Sequence, residues 1–264
     1  MASTNQGTRV AIVTGAARGI GRAIARRLAT DGLDVAVCDL ESMANQLNNV
    51  AEEIRQTGRH SVSIFADVSN SSDVDRMVHR VVDELGHLDV IVANAGIAQI
   101  LTLLEITSED WDRVMAVNAR GVFLCYQAAA KQMISQGTGG KIIGACSIAG
   151  HKAFPLLGHY SVSKFAVRGL TQVAAQEWAK YGITVNAYCP GIVDTAMWEL
   201  IDEKFAEYEG LQKGEAIKKY SQLISLGRVE QPEDVAAFVS YLASKDSDYM
   251  TGQSIMIDGG IMFS

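Results

Sequence analysis

Tyr160-Ser161-Val162-Ser163-Lys164, with Ser147 thirteen residues upstream, holds the residue types for proton chemistry. A tyrosine and a lysine four apart share one face of a helix, one turn above each other. A free phenol titrates near pH ~10 and is a poor acid or base at neutrality. A fixed ammonium beside it favours the phenolate. Lowering the pKa by roughly three units asks for about 4 kcal/mol of differential electrostatics, which a dry site supplies. Alone, the pair is weak evidence and reads more readily as an exposed helix contact.

A second motif changes that balance. Thr14-Gly15-Ala16-Ala17-Arg18-Gly19-Ile20-Gly21 follows the apolar run Val10-Ala11-Ile12-Val13 and leads into the helical pattern Arg22–Ala29. Strand, glycine-rich turn and helix together present backbone N–H groups and a helix N-terminus to a phosphate. Gly15 allows the tight turn, Gly19 close approach of a pyrophosphate, and Gly21 close helix packing. The spacing is G-x-x-x-G-x-G, not the G-x-G-x-x-G of the standard dinucleotide fingerprint.

With Ser147 and Y-x-x-x-K, this T-G-x-x-x-G-I-G pattern resembles the short-chain dehydrogenase/reductase family. Asp67-Val68, Asn94-Ala95-Gly96, Asn118, Pro190-Gly191 and Thr251-Gly252-Gln253 follow in the family's order, so the resemblance covers nearly the whole chain. It implies catalysis by Asn118, Ser147, Tyr160 and Lys164, without a metal. Ser147 would polarise a carbonyl, Tyr160 transfer the proton, Lys164 depress the tyrosine pKa and bind the nicotinamide ribose, and Asn118 hold a water linking Lys164 to solvent. It further implies that Ile20 N–H meets the pyrophosphate, Asp67 and Val68 the adenine, Asn94 the nearby ribose, and Val193 and Thr195 the nicotinamide carboxamide. Ala93 departs from the asparagine common in the family at that position.

The elements that must position these groups alternate along the chain. Strands are expected at Val10–Val13, Asp34–Cys38, Ser61–Phe65, Leu88–Ala93, Lys141–Cys146, Thr184–Tyr188 and Ser254–Ile257. Helices are expected at Met43–Gln56, Val74–Leu85, Trp111–Met133 and Val162–Lys180. Strands rich in Val, Ile and Ala between helices predict a parallel sheet with helices on both faces, and the family resemblance implies one doubly wound α/β domain of about seven strands over 1–264. The landmark residues fall just after strand ends, where such sheets bind ligands. Residues 1–8 read as a polar tail. Residues 192–227 break the alternation and read as one or two amphipathic helices; the family resemblance implies that they form a substrate lid, with an ordinary surface insertion as the alternative. The three prolines are expected outside strands or at a helix start.

Composition narrows the partners. The 264 residues are 48% hydrophobic, with no apolar run long enough to span a bilayer and no visible signal peptide. A net charge of −7 argues against nucleic acid. Cys38, Cys125, Cys146 and Cys189 lack metal or disulfide spacing and read as buried free thiols of a cytoplasmic protein. His151 and His159 flank the presumed site and read as surface or supporting residues. The family resemblance implies a homotetramer or homodimer, and the apolar end Ile261-Met262-Phe263-Ser264 is expected to pack on a neighbouring subunit.

Asp39 decides the cofactor. It ends the second strand about twenty residues past the glycine loop, where a carboxylate accepts both ribose hydroxyls of NAD and repels a 2′-phosphate. Arg18 argues for NADP, but its side chain can turn to solvent, and Leu40 carries no positive charge. NAD is therefore expected. For substrate, longer stretches such as Asn94–Ile100, Lys164–Gln172 and Asn186–Val193 resemble acetoin (diacetyl) reductases and 2,3-butanediol dehydrogenases. The expected pocket is Ser147, Ile148, Ala149, Phe154, Leu157, Tyr160 and Trp198, with His151 at its margin. A bulky-ketone dehydrogenase of specialised metabolism, a 3-oxoacyl-carrier-protein reductase and a non-enzymatic NAD sensor remain alternatives.

Overall fold

The computed structural model describes residues 7–263. Seven strands form one sheet in the order β3-β2-β1-β4-β5-β6-β7. They are β1 (Val10–Thr14), β2 (Asp34–Asp39), β3 (Ser61–Phe65), β4 (Val90–Ala93), β5 (Gly140–Ala145), β6 (Ile183–Pro190) and β7 (Ser254–Ile257). Every pairing is parallel. All of β1 and β4 is buried, as strands covered on both faces require.

One apolar layer joins the sheet to α1 (Gly19–Thr30), α2 (Ala44–Arg55) and α9 (Pro232–Ala243). The opposite layer joins it to α3 (Ser71–Leu85), α5 (Gly121–Gln136) and α6 (Gly158–Trp178). The strand order reverses between β1 and β4, and this switch point opens a crevice at the carboxyl edge of the sheet.

Two expectations about elements need correcting. The single helix over Trp111–Met133 is three pieces: α4 (Ser108–Met115), a π-helical turn at Ala116–Arg120, and α5. Period alone does not reveal the break, because a turn of 5 residues is shorter than the stretch over which an apolar period is read, and helix flanks it on both sides. Pro190 does not lie outside the strands but ends β6, where its missing N–H removes no interior ladder bond.

The 192–227 region holds α7 (Ala196–Glu209) and α8 (Glu215–Ser221). The buried Asp202 carboxylate accepts the N–H groups of Gly214 and Ile217, each at 2.6 Å, fastening the start of α8 to α7. At the other end Glu209 accepts Tyr220 OH at 2.6 Å and Lys219 Nζ at 2.8 Å. Of the polar tail, residues 1–6 lie outside the described residues, as does Ser264. Ile261 and Met262 are half-buried against their own chain: Met262 N–H donates to Asp258 at 2.9 Å, and Ile261 lies beside Gly191. Phe263 stays 86% exposed.

Candidate active site

The first turns of α6 carry Tyr160 and Lys164. Lys164 is buried, its Nζ donating to Ala145 O at 2.8 Å and standing 5.4 Å from the Tyr160 ring centroid. Ser147 follows β5 and opens a short turn, its Oγ accepting Ala149 N–H at 3.1 Å. That contact orients the oxygen and leaves its own O–H to donate.

Asn118 lies fully buried in the π turn. Its Oδ1 accepts Ile97 N–H at 2.9 Å, and its Nδ2 donates to Ile97 O at 2.8 Å and Ser163 Oγ at 3.2 Å. Ser163 in turn donates to Tyr160 O at 2.6 Å. A buried polar chain therefore ties the segment after β4 to the helix that carries the tyrosine, and each hydrogen bond in it strengthens its neighbours.

Burial pushes the Tyr160 phenol up to about 12, although its contact with Ser147 pulls the other way. Burial likewise brings the Lys164 ammonium down to about 8. The expected depression of the phenol is therefore absent here. The ammonium bonds to a backbone carbonyl, and desolvation of the phenolate dominates.

The glycine loop shows why glycine is needed. Gly15 and Gly19 have φ of +64° and +54°, the left-handed region. A Cβ on Gly21 would collide with the Gly15 carbonyl oxygen and stand 2.6 Å from Asn94 Nδ2. Gly21 thus permits the helix to pack on its own loop. Arg18 at the N-cap is exposed and makes no side-chain cap, and the first turn of α1 holds no acid. The N–H groups of Gly19, Ile20 and Gly21 thus face outward without an intrahelical acceptor, as an anion requires.

Asp39 closes the loop from the side: Oδ2 accepts Ala17 N–H at 3.0 Å and Oδ1 accepts Leu40 N–H at 2.9 Å. Each oxygen keeps a lone pair for a ribose hydroxyl. Leu40 is exposed beside it.

Across the crevice, Thr195 begins α7 and donates to Val193 O at 3.3 Å; a Cβ on Gly19 would be 3.5 Å from the Thr195 methyl. Val68 is buried against Gly121, and the exposed Asp67 accepts Ser69 N–H at 2.9 Å. This donor set fits a dinucleotide laid across the switch point.

Some groups the motifs did not mark support this frame. Thr14 Oγ1 accepts the N–H groups of Asn94 and Ala95, both at 3.0 Å. The Asn94 amide donates to Thr14 O at 2.8 Å and Gly15 O at 3.2 Å, while its Oδ1 accepts Tyr188 OH at 2.8 Å. The Asn94 side chain therefore braces the glycine loop from within. Thr14 heads the glycine motif, so a signal existed for it; Tyr188, an apolar-looking strand residue, offered none.

Facing Tyr160 is a cluster of Ile100, Leu156, Leu157, Ile201, Phe205, Ala206 and Ala216, with Phe154, Met197, Trp198 and Tyr220 packed on it. The structure thus brings Phe154, Leu157, Tyr160 and Trp198 together, with Ile148 and Ala149 buried in the turn after Ser147. His151 instead turns its Nε2 to Cys189 Sγ, 3.5 Å away. His159 is not a surface residue: it is fully buried, its Nε2 3.3 Å from Gln99 Oε1. Leu156 has φ +64°, rare for a branched residue. Pro155 before it and the Leu157 N–H to Phe154 O bond of 3.3 Å make a tight turn that buries Leu156 in the cluster. All four cysteines are free and buried. Among the described residues no helix is long and apolar enough to cross a membrane.

A seven-stranded parallel sheet with a glycine loop at its switch point and a Ser-Tyr-Lys group beside it defines a Rossmann-type oxidoreductase. The chain belongs to the short-chain dehydrogenase/reductase family. A family model described as enoyl-(acyl carrier protein) reductase matches residues 15–262. A short-chain dehydrogenase/reductase of Armillaria gallica is 51% identical, with 100% of both chains covered. L-2,3-butanediol dehydrogenase of Corynebacterium glutamicum is 48% identical, over 97% of this chain and 100% of that one. A diacetyl reductase [(S)-acetoin forming] of Staphylococcus epidermidis is 45% identical, over 97% and 99%. Carveol dehydrogenase from Mycobacterium avium, solved in complex with NAD, superposes with a TM-score of 0.90 at 33% identity, over 96% of this chain and 97% of that one.

Proposed function

We propose that the protein interconverts secondary alcohols and ketones with NAD(H), reducing diacetyl and acetoin and oxidising 2,3-butanediol. The carrying observation is the convergence of Ser147, Tyr160 and Lys164 beside a small apolar cluster, in a chain 48% identical to an L-2,3-butanediol dehydrogenase.

In the reducing direction, Ser147 O–H donates to the carbonyl oxygen as negative charge develops there. Tyr160 O–H delivers the proton to that oxygen. Lys164, held by Ala145 O, keeps a positive charge close to the phenol and offers its remaining donors to the nicotinamide ribose. Asn118 fixes the position of Ser163 and so of the first turn of α6, and through its place in the π turn serves the water path to Lys164. The nicotinamide supplies or accepts the hydride. The glycine loop with Ile20 would hold the pyrophosphate, Asp39 the adenosine ribose beside Leu40, Asp67 and Val68 the adenine, and Val193 and Thr195 the carboxamide, whereas Asn94, expected at a ribose, commits its side chain to Thr14 O, Gly15 O and Tyr188 OH. The α7–α8 pair, covering residues 192–227, is the substrate lid; its clasps at Asp202 and Glu209 make it move as one piece and exclude water when closed.

NAD over NADP rests on Asp39, because a 2′-phosphate beside that carboxylate meets a like charge. A second reading, a bulkier apolar ketone, is favoured by the aromatic content of the cluster, Phe154, Trp198, Phe205 and Tyr220. Initial rates with NADH and NADPH on diacetyl, acetoin and a series of bulky ketones separate the two. Fast NADH oxidation with the small substrates is the expected outcome. Turnover confined to bulky ketones would reject the substrate assignment, and a preference for NADPH would reject the role of Asp39.

The protein works in the cytoplasm, a reading that the four unpaired thiols support, and it assembles as a homotetramer or homodimer. Supporting assembly are the half-exposed edge strand β7, the exposed Phe263, and the exposed Phe123, Phe165 and Val173 on α5 and α6. Light scattering should give a mass of two or four times 28.4 kDa, falling when residues 261–264 are removed; a monomeric intact protein would refute assembly.

A further inference from the structure

Glu230 lies outside every motif read from the sequence, just ahead of α9. It is 9% exposed, a rare place for a carboxylate because an ion there loses its water. Its Oε2 accepts Gly191 N–H at 3.1 Å. The main chain grips the same segment twice more: Glu230 N–H donates to Ile192 O at 3.0 Å, and Asp194 N–H donates to Glu230 O at 2.9 Å. Val193 thereby pairs with Glu230 in an isolated parallel bridge. On its other side Gly191 is closed by the C-terminal segment. A Cβ at 191 would lie 2.8 Å from Asp258 Cβ and 3.1 Å from Ile261 Cδ1. Residues 191–194 are thus held by one residue, immediately before Thr195, whose methyl faces the glycine loop.

We propose that Glu230 is a positioning residue for the cofactor: its side chain anchors Gly191, the pivot where the chain leaves β6, and so sets where Val193 and Thr195 stand against the nicotinamide end of the dinucleotide. The inference rests on the NAD reading above. The two main-chain bonds survive any substitution other than proline, so the side chain has a separable role, the placement of Gly191. Burial, with Asp234 and Asp258 nearby, pushes the Glu230 carboxyl up to about 8, while Gly191 N–H and Arg228 pull it down. At neutrality the group is mainly an uncharged acceptor, which an amide imitates.

The test is NADH binding by the purified full-length protein, titrated by fluorescence at pH 7 beside the thermal unfolding midpoint. Glu230→Gln keeps an acceptor and should bind within about twofold of wild type. Glu230→Leu removes it, leaves Gly191 N–H buried without a partner, and should weaken binding about tenfold. Glu230→Met, similar in volume and more adaptable, with only a weakly accepting sulfur, is the second variant should leucine not fold. Wild-type affinity in a folded leucine or methionine variant would overturn the inference, as would a glutamine variant damaged as much as they are. A wild-type protein that does not bind NADH would overturn the cofactor reading and this inference together.

Discussion

Tyr160→Phe should lower kcat for ketone reduction by about 10³-fold while leaving NADH affinity within about twofold. Only the hydroxyl is removed. The ring keeps its packing against the apolar cluster, so the unfolding midpoint should hardly move. Ser147 is the nearest alternative proton source, but an alcohol is far too weak an acid to replace a phenol, so it cannot rescue the rate. Single-turnover kinetics, with NADH binding measured separately, check this; activity surviving the substitution would remove Tyr160 as the proton donor. The pH dependence carries the same logic. With the phenol held up near 12, the protonated form that reduction needs prevails across neutrality, and that direction should be flat from pH 6 to 7 and change only as the Lys164 ammonium, at about 8, loses its charge. Alcohol oxidation needs the phenolate, whose fraction grows tenfold per pH unit below the pKa, so kcat for oxidation should climb with pH. An oxidation rate already level at neutrality would mean that the phenol titrates lower in the working enzyme and that Lys164 prevails over burial.

Gly21→Ala should cost roughly 2–4 kcal/mol of stability and weaken NADH binding about a hundredfold. The added methyl has no room. It meets the Gly15 carbonyl oxygen and the Asn94 amide, which itself braces the loop through Thr14 O and Gly15 O. Both neighbours are backbone or tied to backbone, so the loop must move, carrying with it the N–H groups at the start of α1. An alanine at Gly169 tests the specificity of this argument. That glycine also lies within a helix, but a Cβ there meets nothing within 4 Å, and Gly169→Ala should be neutral or mildly stabilising, as a helix-interior glycine replaced by alanine usually is. Denaturant unfolding and NADH titration of the two variants give the comparison; equal behaviour would refute the steric account.

The match between sequence and structure is uneven in an instructive way. Parallel strands such as β1 announce themselves because a strand buried on both faces has to be apolar throughout. Gly15 and Gly19 announce themselves because left-handed backbone selects for glycine. The π turn at Ala116–Arg120 was invisible, since it is far shorter than the stretch over which an apolar period is read. Glu230 and Tyr188 were invisible for another reason. A carboxylate before a helix normally reads as a solvated charge, and a tyrosine in a strand as core.

By itself the sequence determined the layout: alternating strands and helices, a glycine loop after β1, and a tyrosine and lysine on one helix face. These follow from local backbone preferences, from the continuous apolar runs of strands buried on both faces and from the 3.6-residue period of helices, which need no distant partner to be read. Only the tertiary structure decided which groups meet. It tied Asn118 to Ser163, closed Asp39 on Ala17, joined Tyr188 to Asn94, and seated Gly191 between Glu230 and Asp258. It also decided the electrostatics of the site, turning the expected depression of the Tyr160 phenol into a rise. The physical reason is that desolvation depends on every atom packed around a group, whereas spacing along the chain specifies only its nearest partner.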